Sequence, residues 1–356
     1  MKILTINPGS TSTKIAIYEN DLVIFYKNLN HSAEDLKNFK RISEQYEFRK
    51  EIIYEELKKT DIDLESIRVI VGRGGMLKPL QSGVYVINEQ MKKELMSSKI
   101  RQHASNLGAL IADSIASKLP SCKAYIADPV VVDELDDLAR VSGHPLFKRI
   151  SIFHALNHKA VARIHAKISN CKYEDLNLII VHMGGGITVG VHHKGRVVDV
   201  NQGIDGEGAF TPERSGTLPP GDVIRICFEG KYAQEEILKM ITGQGGFAAY
   251  LGTNNALEVE EMITSGNVEA ERIFKGLAYQ VSKEIGAAAT VLKGEIDFIL
   301  LTGGLAYSEK LVKLIVERVK KIAPVVIYPG ENEMKALALN GLQVLKGELE
   351  PKEYGL

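Results

Sequence analysis

Three cysteines in 356 residues are too few and too scattered to hold this chain together. Cys122, Cys171 and Cys227 are odd in number and none sits in a CxxC spacing, which argues against a disulfide framework and against a zinc site. A surplus of charge is missing too: the formal net charge is −1, so nothing basic points to nucleic acid or to an anionic membrane. No segment approaches the roughly 18 apolar residues of a membrane span. The first apolar run is short, and polar residues follow it at once, unlike a secretory leader. These absences predict a chain that works in a reducing cytoplasm, with neither nucleic acid nor membrane as partner. What is present is apolar content, 45% of residues, enough in a chain of this length for two domain cores.

The stretch Ile3 to Ile17, ILTINPGSTSTKIAI, organises the rest. An apolar run breaks at Asn7 and resumes as the alternating Ile15 and Ile17, which reads as strand, polar turn, strand. Pro8 and Gly9 force the reversal. The turn then carries four hydroxyls and Lys14, more hydrogen-bonding capacity than a reversal needs. Backbone N–H groups together with Ser10, Ser12 and Lys14 suit a phosphate chain, although a Ser/Thr/Gly turn by itself is only a turn. A second copy strengthens the reading: Leu178 to His193, LIIVHMGGGITVGVHH, repeats strand, tight turn (Gly184, Gly185, Gly186) and strand. Two such hairpins a domain apart predict two related lobes, each presenting a loop to a central cleft; two unrelated hairpins are the plain alternative. Neither loop is GxxxxGK[ST], nor a GxGxxG opening a helix.

Between these loops the pattern predicts a third strand at Leu22–Tyr26, then charged helix in two pieces over Ala33–Lys59, read as a solvated face. A strand at Ile67–Val71 runs into Gly72-Arg73-Gly74-Gly75, and Ala124–Ala127 ends at Asp128-Pro129, a carboxylate placed where open α/β sheets put their ligands. Ile150–Phe153 leads into His154 and a helix to about Ile168, with Asn157 as its cap. The lobe boundary is placed here, giving residues 1–153, completed by a C-terminal helix at 332–347, and residues 154–331. The second lobe holds a long irregular glycine-rich stretch, Asn201–Gly221, of the kind that is functional when ordered. It also holds a long apolar helix at Val268–Leu292, a strand at Phe298–Leu301 ending in Thr302-Gly303-Gly304, and Ser308 capping the next helix.

At INPGSTSTK, FHALNHK, VHMGGG and LLTGGLAYSEKL the chain resembles the acetate and butyrate kinases, within the superfamily of acetate and sugar kinases, chaperone ATPases and actin. The resemblance covers essentially the whole chain. NPGSTSTK, RGGMLKP, HASNLGA, DPVVVDE and PGENEMKALA are similar to the butyrate kinase branch; an acetate kinase reads more like NAGSSSLK, HRVVHGG and HLGNG. The resemblance implies a two-lobed, duplicated, actin-like (ribonuclease H-like) α/β fold, with ATP/ADP as co-substrate, Mg²⁺, a short-chain carboxylate as small-molecule substrate, and a homo-oligomer. The implied reaction is reversible, in-line transfer of the γ-phosphoryl group of ATP to butyrate or a similar acid. Acetate or propionate kinase is the alternative, and a nucleotide-switched ATPase on the same fold a more distant one. A carboxylate is already ionised at neutral pH and needs no general base; the demand is for cations and donors around a metaphosphate-like transition state.

By resemblance Arg214, in PERSG, is the arginine that stabilises the transition state, and His154 is the histidine that hydrogen-bonds the transferred phosphoryl. His103 is a further active-site histidine, placed with Phe153 near the substrate. Asn7 belongs to the first phosphate loop and to the metal, Asp128 lies near the metal, and Glu331 and Glu333 together cover the metal-holding glutamate. His182 and the glycines after it form the second phosphate loop. Thr253, Asn254 and Asn255 stand where acetate kinases contact nucleotide, while Gly303 and Gly304 would let the backbone approach adenosine. Three departures stand out. Gly185 replaces an asparagine, Ile70 replaces the substrate arginine so that Arg73 takes over the carboxylate, and Gly72 replaces a valine and so enlarges the acyl pocket.

Overall fold

The structure is a computed structural model that describes residues 1–97 and 103–355. Among these the chain divides into two compact units, Met1–Val132 with Asn332–Leu356, and Asp133–Glu331.

The first unit contains β1 (Lys2–Pro8), β2 (Ser12–Glu19), β3 (Leu22–Asn30), α1 (Ala33–Leu36), α2 (Tyr46–Lys58), β4 (Ile67–Arg73), β5 (Val84–Val86), α3 (Glu89–Met96), α4 (Asn106–Ala116) and β6 (Lys123–Ala127), with a C-terminal helix at Glu333–Lys346. The strands form one sheet in the order β3-β2-β1-β4-β6-β5. The hairpin pairs are antiparallel, whereas β1, β4 and β6 run parallel. β1 and β4 are apolar almost throughout because both faces are covered, by α4 and by the C-terminal helix. Gly341 lets that helix lie close: a side chain there would press on Val71, Val69 and Ile3.

The second unit contains α5 (Ala155–Ile168), β7 (Asn177–Met183), β8 (Ile187–His193), β9 (Arg196–Val200), α6 (Pro220–Phe228), α7 (Gln234–Ile241), α8 (Gly246–Leu251), α9 (Ala256–Thr264), α10 (Val268–Val291), β10 (Phe298–Gly303), α11 (Glu309–Val319) and β11 (Val325–Pro329). Its sheet runs β11-β10-β7-β8-β9. Two antiparallel pairs are followed by parallel β7, β10 and β11, so this unit repeats the first five-strand pattern of the other. One face packs on α10 and α11 through residues such as Phe274, Leu277, Val281 and Ile315, the other on α5 through Val161 and Ala162. Ser308 caps α11 as expected, its Oγ accepting from Leu311 N at 3.1 Å. No described helix is long and apolar enough to cross a membrane.

Three expectations change. The segment 133–153 belongs to the second unit, because Lys159 donates to Glu134 at 2.7 Å, Asp136 N to Val198 O at 2.9 Å, and Arg149 pairs with Asp199 and Glu207, each at 3.0 Å. Asn157 is not a cap: α5 starts at Ala155 behind His154, and Asn157 lies buried in its first turn. Nor is the charged helix wholly solvated, since Arg49 in α2 is 0% exposed.

Candidate active site

In each unit several of the sequence-predicted residues stand at the carboxyl ends of the parallel strands, where open α/β sheets place their ligands. In the first unit Asn7 is the last residue but one of β1, Arg73 ends β4, and Asp128 directly follows β6. Asn7 Nδ2 donates to Glu333 Oε2 at 2.7 Å, and Arg73 Nη1 donates to the same oxygen at 3.0 Å and to Asn7 Oδ1 at 3.2 Å. Glu333 is 3% exposed and opens the C-terminal helix, whose dipole favours a carboxylate there. Glu333 therefore keeps company with Asn7, while Glu331 belongs to the other unit. Arg73, expected to serve the substrate, is already engaged with Glu333.

Asp128 is also committed in part: its Oδ1 accepts from Ser82 Oγ at 2.6 Å and Gly83 N at 2.9 Å. Its φ of 37° is left-handed, a conformation that costs on the order of 1–3 kcal/mol in a non-glycine residue. Gly72 does not open a pocket. A Cβ there would overlap the Gly108 carbonyl, so this glycine exists to let β4 touch the backbone of α4. His103 turns inward on its own loop, Nδ1 lying 2.7 Å from Ser105 Oγ.

The first phosphate loop closes with Gly9 N donating to Ser12 O at 2.7 Å, leaving Ser10 exposed and Ser12 and Lys14 half-buried. Its shape is held from behind by Arg49, which the sequence did not single out. Arg49 Nη1 donates to Gly9 O (2.7 Å), Ser12 O (3.1 Å) and Thr13 Oγ1 (3.1 Å); Nη2 donates to Ser10 O (3.0 Å); Gln45 Oε1 orients the fork. A rigid planar donor fork suits this because three carbonyls point the same way. Burial pulls the guanidinium down to about 10. His31, whose Nε2 lies 2.9 Å from Thr13 Oγ1, is pulled down to about 4 by burial and by the nearby Arg49 charge.

In the second unit the imidazoles of His154 and His182 stack with centroids 3.8 Å apart. His154 Nδ1 lies 3.0 Å from Thr188 Oγ1, and His182 Nδ1 lies 2.9 Å from Asn157 Oδ1. His182 Nε2 is 3.8 Å from Glu331 Oε1, an ion pair only if the ring is protonated. The glycine turn closes with Gly184 N donating to Gly186 O at 2.9 Å. A Cβ on Gly186 would collide with Arg214 Nη1, so the arginine lies against this turn; Nη1 also donates to Gly203 O. Thr211 Oγ1 donates to Gly185 O at 2.6 Å, which joins the long glycine-rich stretch to the same turn. Phe153 packs edge-on against His158 at 5.2 Å and is 3% exposed.

Glu213, the neighbour of Arg214, is a residue the sequence reading passed over. A Cβ at Gly185 would stand 3.2 Å from its Oε1, and its Oε2 accepts from Asn254 Nδ2 at 3.2 Å. Asn254 is thus linked to the glycine turn through Glu213. Thr253 and Asn255 instead organise α9: Thr253 Oγ1 donates to Glu258 at 2.5 Å, and Asn255 Oδ1 caps Leu257 N at 3.0 Å. The two glycines after β10 also divide. Gly303 has φ 91° and abuts the Met183 carbonyl, whereas Gly304 is exposed with open space above its Cα. Among the described residues no group of three or more His, Cys, Asp or Glu could hold a metal ion. One carboxylate beside an amide, as at Glu333 and Asn7, still fits Mg²⁺, which keeps several waters and takes the rest from phosphate.

Two sheets of one topology, each with its ligand-facing groups at the strand ends, define a duplicated α/β kinase fold. The acetate kinase of Porphyromonas gingivalis shares it with a TM-score of 0.78 at 18% identity, over 97% of this chain and 99% of that one. A propionate kinase from Francisella tularensis matches at 0.74, also at 18% identity, over 95% and 98%. The chain belongs to the acetokinase family, whose model matches residues 146–337. A relative in that family, butyrate kinase 2 of Clostridium acetobutylicum, is 54% identical over 353 residues, 99% of each chain.

Proposed function

We propose that this protein is a butyrate kinase, transferring the γ-phosphoryl group of ATP to butyrate or a similar short or branched fatty acid, reversibly. The observation that carries the reading is the 54% identity to a butyrate kinase along 99% of both chains. The chemistry fits the residues. The acceptor is already an anion, so no side chain is asked to remove its proton; what the site must supply is charge and donors. Arg214, lying on the glycine turn, is assigned to the equatorial oxygens of the moving phosphoryl, with His154 and His182 as donors beside it. The loop around Ser10, Ser12 and Lys14 and the turn Gly184 to Gly186 are assigned to phosphates, and Asn254 and the open Gly304 to the nucleoside. Mg²⁺, when bound, neutralises phosphate charge; Glu333 with Asn7 is the better protein partner for it, and Glu331 the lesser. Arg73 has five N–H donors and is engaged through Nη1, which leaves capacity for the acid's carboxylate. A cytoplasmic homo-oligomer with neither nucleic acid nor membrane as partner completes the proposal.

Trapping acyl phosphate with hydroxylamine tests it directly. Butyrate with Mg-ATP should give hydroxamate faster than acetate or propionate at equal concentration. Preference for acetate or propionate would move the protein to the alternative branch, and ATP hydrolysis without any acyl phosphate would sink the kinase reading.

A further inference from the structure

Behind His154 a line of polar side chains runs into the core of the second unit, and no part of the reaction described so far uses it. Thr188 Oγ1, 3.0 Å from His154 Nδ1, is also 2.9 Å from His158 Nε2. His158 Nδ1 is 3.2 Å from His192 Nε2, and His192 Nδ1 is 2.6 Å from Tyr173 Oη. Thr188, His158 and His192 are 0% exposed and Tyr173 is 4% exposed. The strand makes room for this line: a Cβ at Gly190 would stand 2.9 Å from His158 Nδ1 and 3.4 Å from His192 Nε2.

The line has a direction. Its start is the 2.6 Å contact between Tyr173 Oη and His192 Nδ1, a separation that suits an O–H donor and is shorter than N–H···O bonds run, so the hydroxyl donates and the ring accepts. Burial first, and nearby charge second, holds the His158 and His192 rings well below the usual histidine range, so each is neutral and carries one proton. Lys159, buried beside Tyr173 with Nζ 5.5 Å above its ring, opposes a further positive charge. A neutral imidazole that donates from one nitrogen must accept at the other. With His192 Nδ1 accepting from the Tyr173 hydroxyl, His192 Nε2–H donates to His158 Nδ1, and His158 Nε2–H donates to Thr188 Oγ1. Thr188, already accepting, turns its own O–H to His154 Nδ1. That leaves the His154 proton on Nε2.

We propose that Tyr173, His192, His158 and Thr188 form a one-way chain of hydrogen bonds that fixes His154 as its Nε2–H tautomer. This nitrogen then meets the transferred phosphoryl group as a donor and not as a lone pair. The role in phosphoryl transfer rests on the kinase reading above; the tautomer itself does not. Tyr173, His192, His158 and Thr188 are positioning residues, and they act through His154. A lone pair facing a phosphoryl oxygen is repulsive, so losing the preference removes a transition-state contact and barely changes ground-state binding.

Two measurements on the full chain test this. Proton–nitrogen correlation NMR of histidine-labelled, ligand-free enzyme at mildly alkaline pH, assigned with single His→Gln variants, should show His154, His158 and His192 all protonated at Nε2. Finding His154 protonated at Nδ1 overturns the proposal. In the second, Thr188→Val, which keeps the shape and removes the hydroxyl, should lower kcat about tenfold to a hundredfold while KM for ATP and acid moves less than about threefold, with Thr188→Ser restoring most of the rate. A folded Thr188→Val enzyme with wild-type kcat overturns it as well. If that variant does not fold, Tyr173→Phe is read in its place, with a mixture of His154 tautomers and a lower kcat expected, and an unchanged tautomer and rate refuting the chain. A protein that shows the Nε2–H pattern but makes no acyl phosphate would retain this network and lose the kinase reading; an active kinase with the Nδ1–H tautomer would do the reverse.

Discussion

Replacing Arg49 by Met removes a buried fork that ties α2 to the first phosphate loop. Four of its hydrogen bonds go to residues 9–13, three of them to main-chain carbonyls. A hydrogen bond from a charged donor contributes roughly 1.5–3 kcal/mol, and the cost of burying the cation takes back a large part of the sum. The net loss should therefore be about 2–4 kcal/mol, in the first unit alone. Methionine fills the stem volume without donating, so the loss reports the fork and not a cavity. Two consequences separate this from general damage. Amides of residues 9–13 should exchange with solvent much faster than those of the β4 core, and KM for ATP should rise more than kcat falls. Arg49→Lys should recover only part of either effect, because a point charge cannot span three carbonyls. An Arg49→Met protein with wild-type loop exchange and wild-type KM for ATP would refute the clamp.

Gly72→Val should destabilise the first unit by about 1–3 kcal/mol or prevent its folding, because the side chain meets the backbone of Gly108; a stable variant with altered acyl preference, measured by kcat/KM on butyrate and acetate, would restore the pocket reading. Arg214→Ala should lower kcat by about 10² to 10³ with little change in ATP affinity, checked by steady-state kinetics against nucleotide titration. His31 titrates at about 4 in the folded chain against an ordinary 6.5, so the unfolded chain takes up the proton first as pH falls. Stability of the first unit should be full above pH 6.5 and decline by up to about 3 kcal/mol towards pH 4. Denaturant titrations across that range should lose this slope in His31→Gln.

Local punctuation made both loops legible. Pro8-Gly9 and the run Gly184 to Gly186 interrupt apolar strands, and Ser308 stands three residues before the amide it caps. Where the sequence misled, the missing fact was a distant partner. Gly72 read as space for a ligand because nothing local distinguishes that from space for Gly108. Arg49 read as one more charge on a polar helix, since its acceptors lie 36 to 40 residues earlier. The bond from Arg73 to Glu333 was hidden as well, because that carboxylate lies 260 residues away. His158 and His192 stood inside FHALNHK and the second hairpin, but nothing local says that they meet: that depends on the register of β8 and on a glycine opposite α5.

The chain begins and ends in the same unit, with the 199 residues from Asp133 to Glu331 between. The last helix covers β1 and β4, and beyond it Lys352 pairs with β5, accepting from Val86 N at 2.9 Å and donating to Val84 O at 2.8 Å. On a ribosome β1 to β6 therefore emerge with one face bare and one edge open, and they stay so until the last helix and Lys352 have been made. The half of the molecule made second is the half that can be finished first. A premature stop a few codons short of the last helix would release a chain whose second unit is whole and whose first sheet offers an apolar face to aggregation and to proteases.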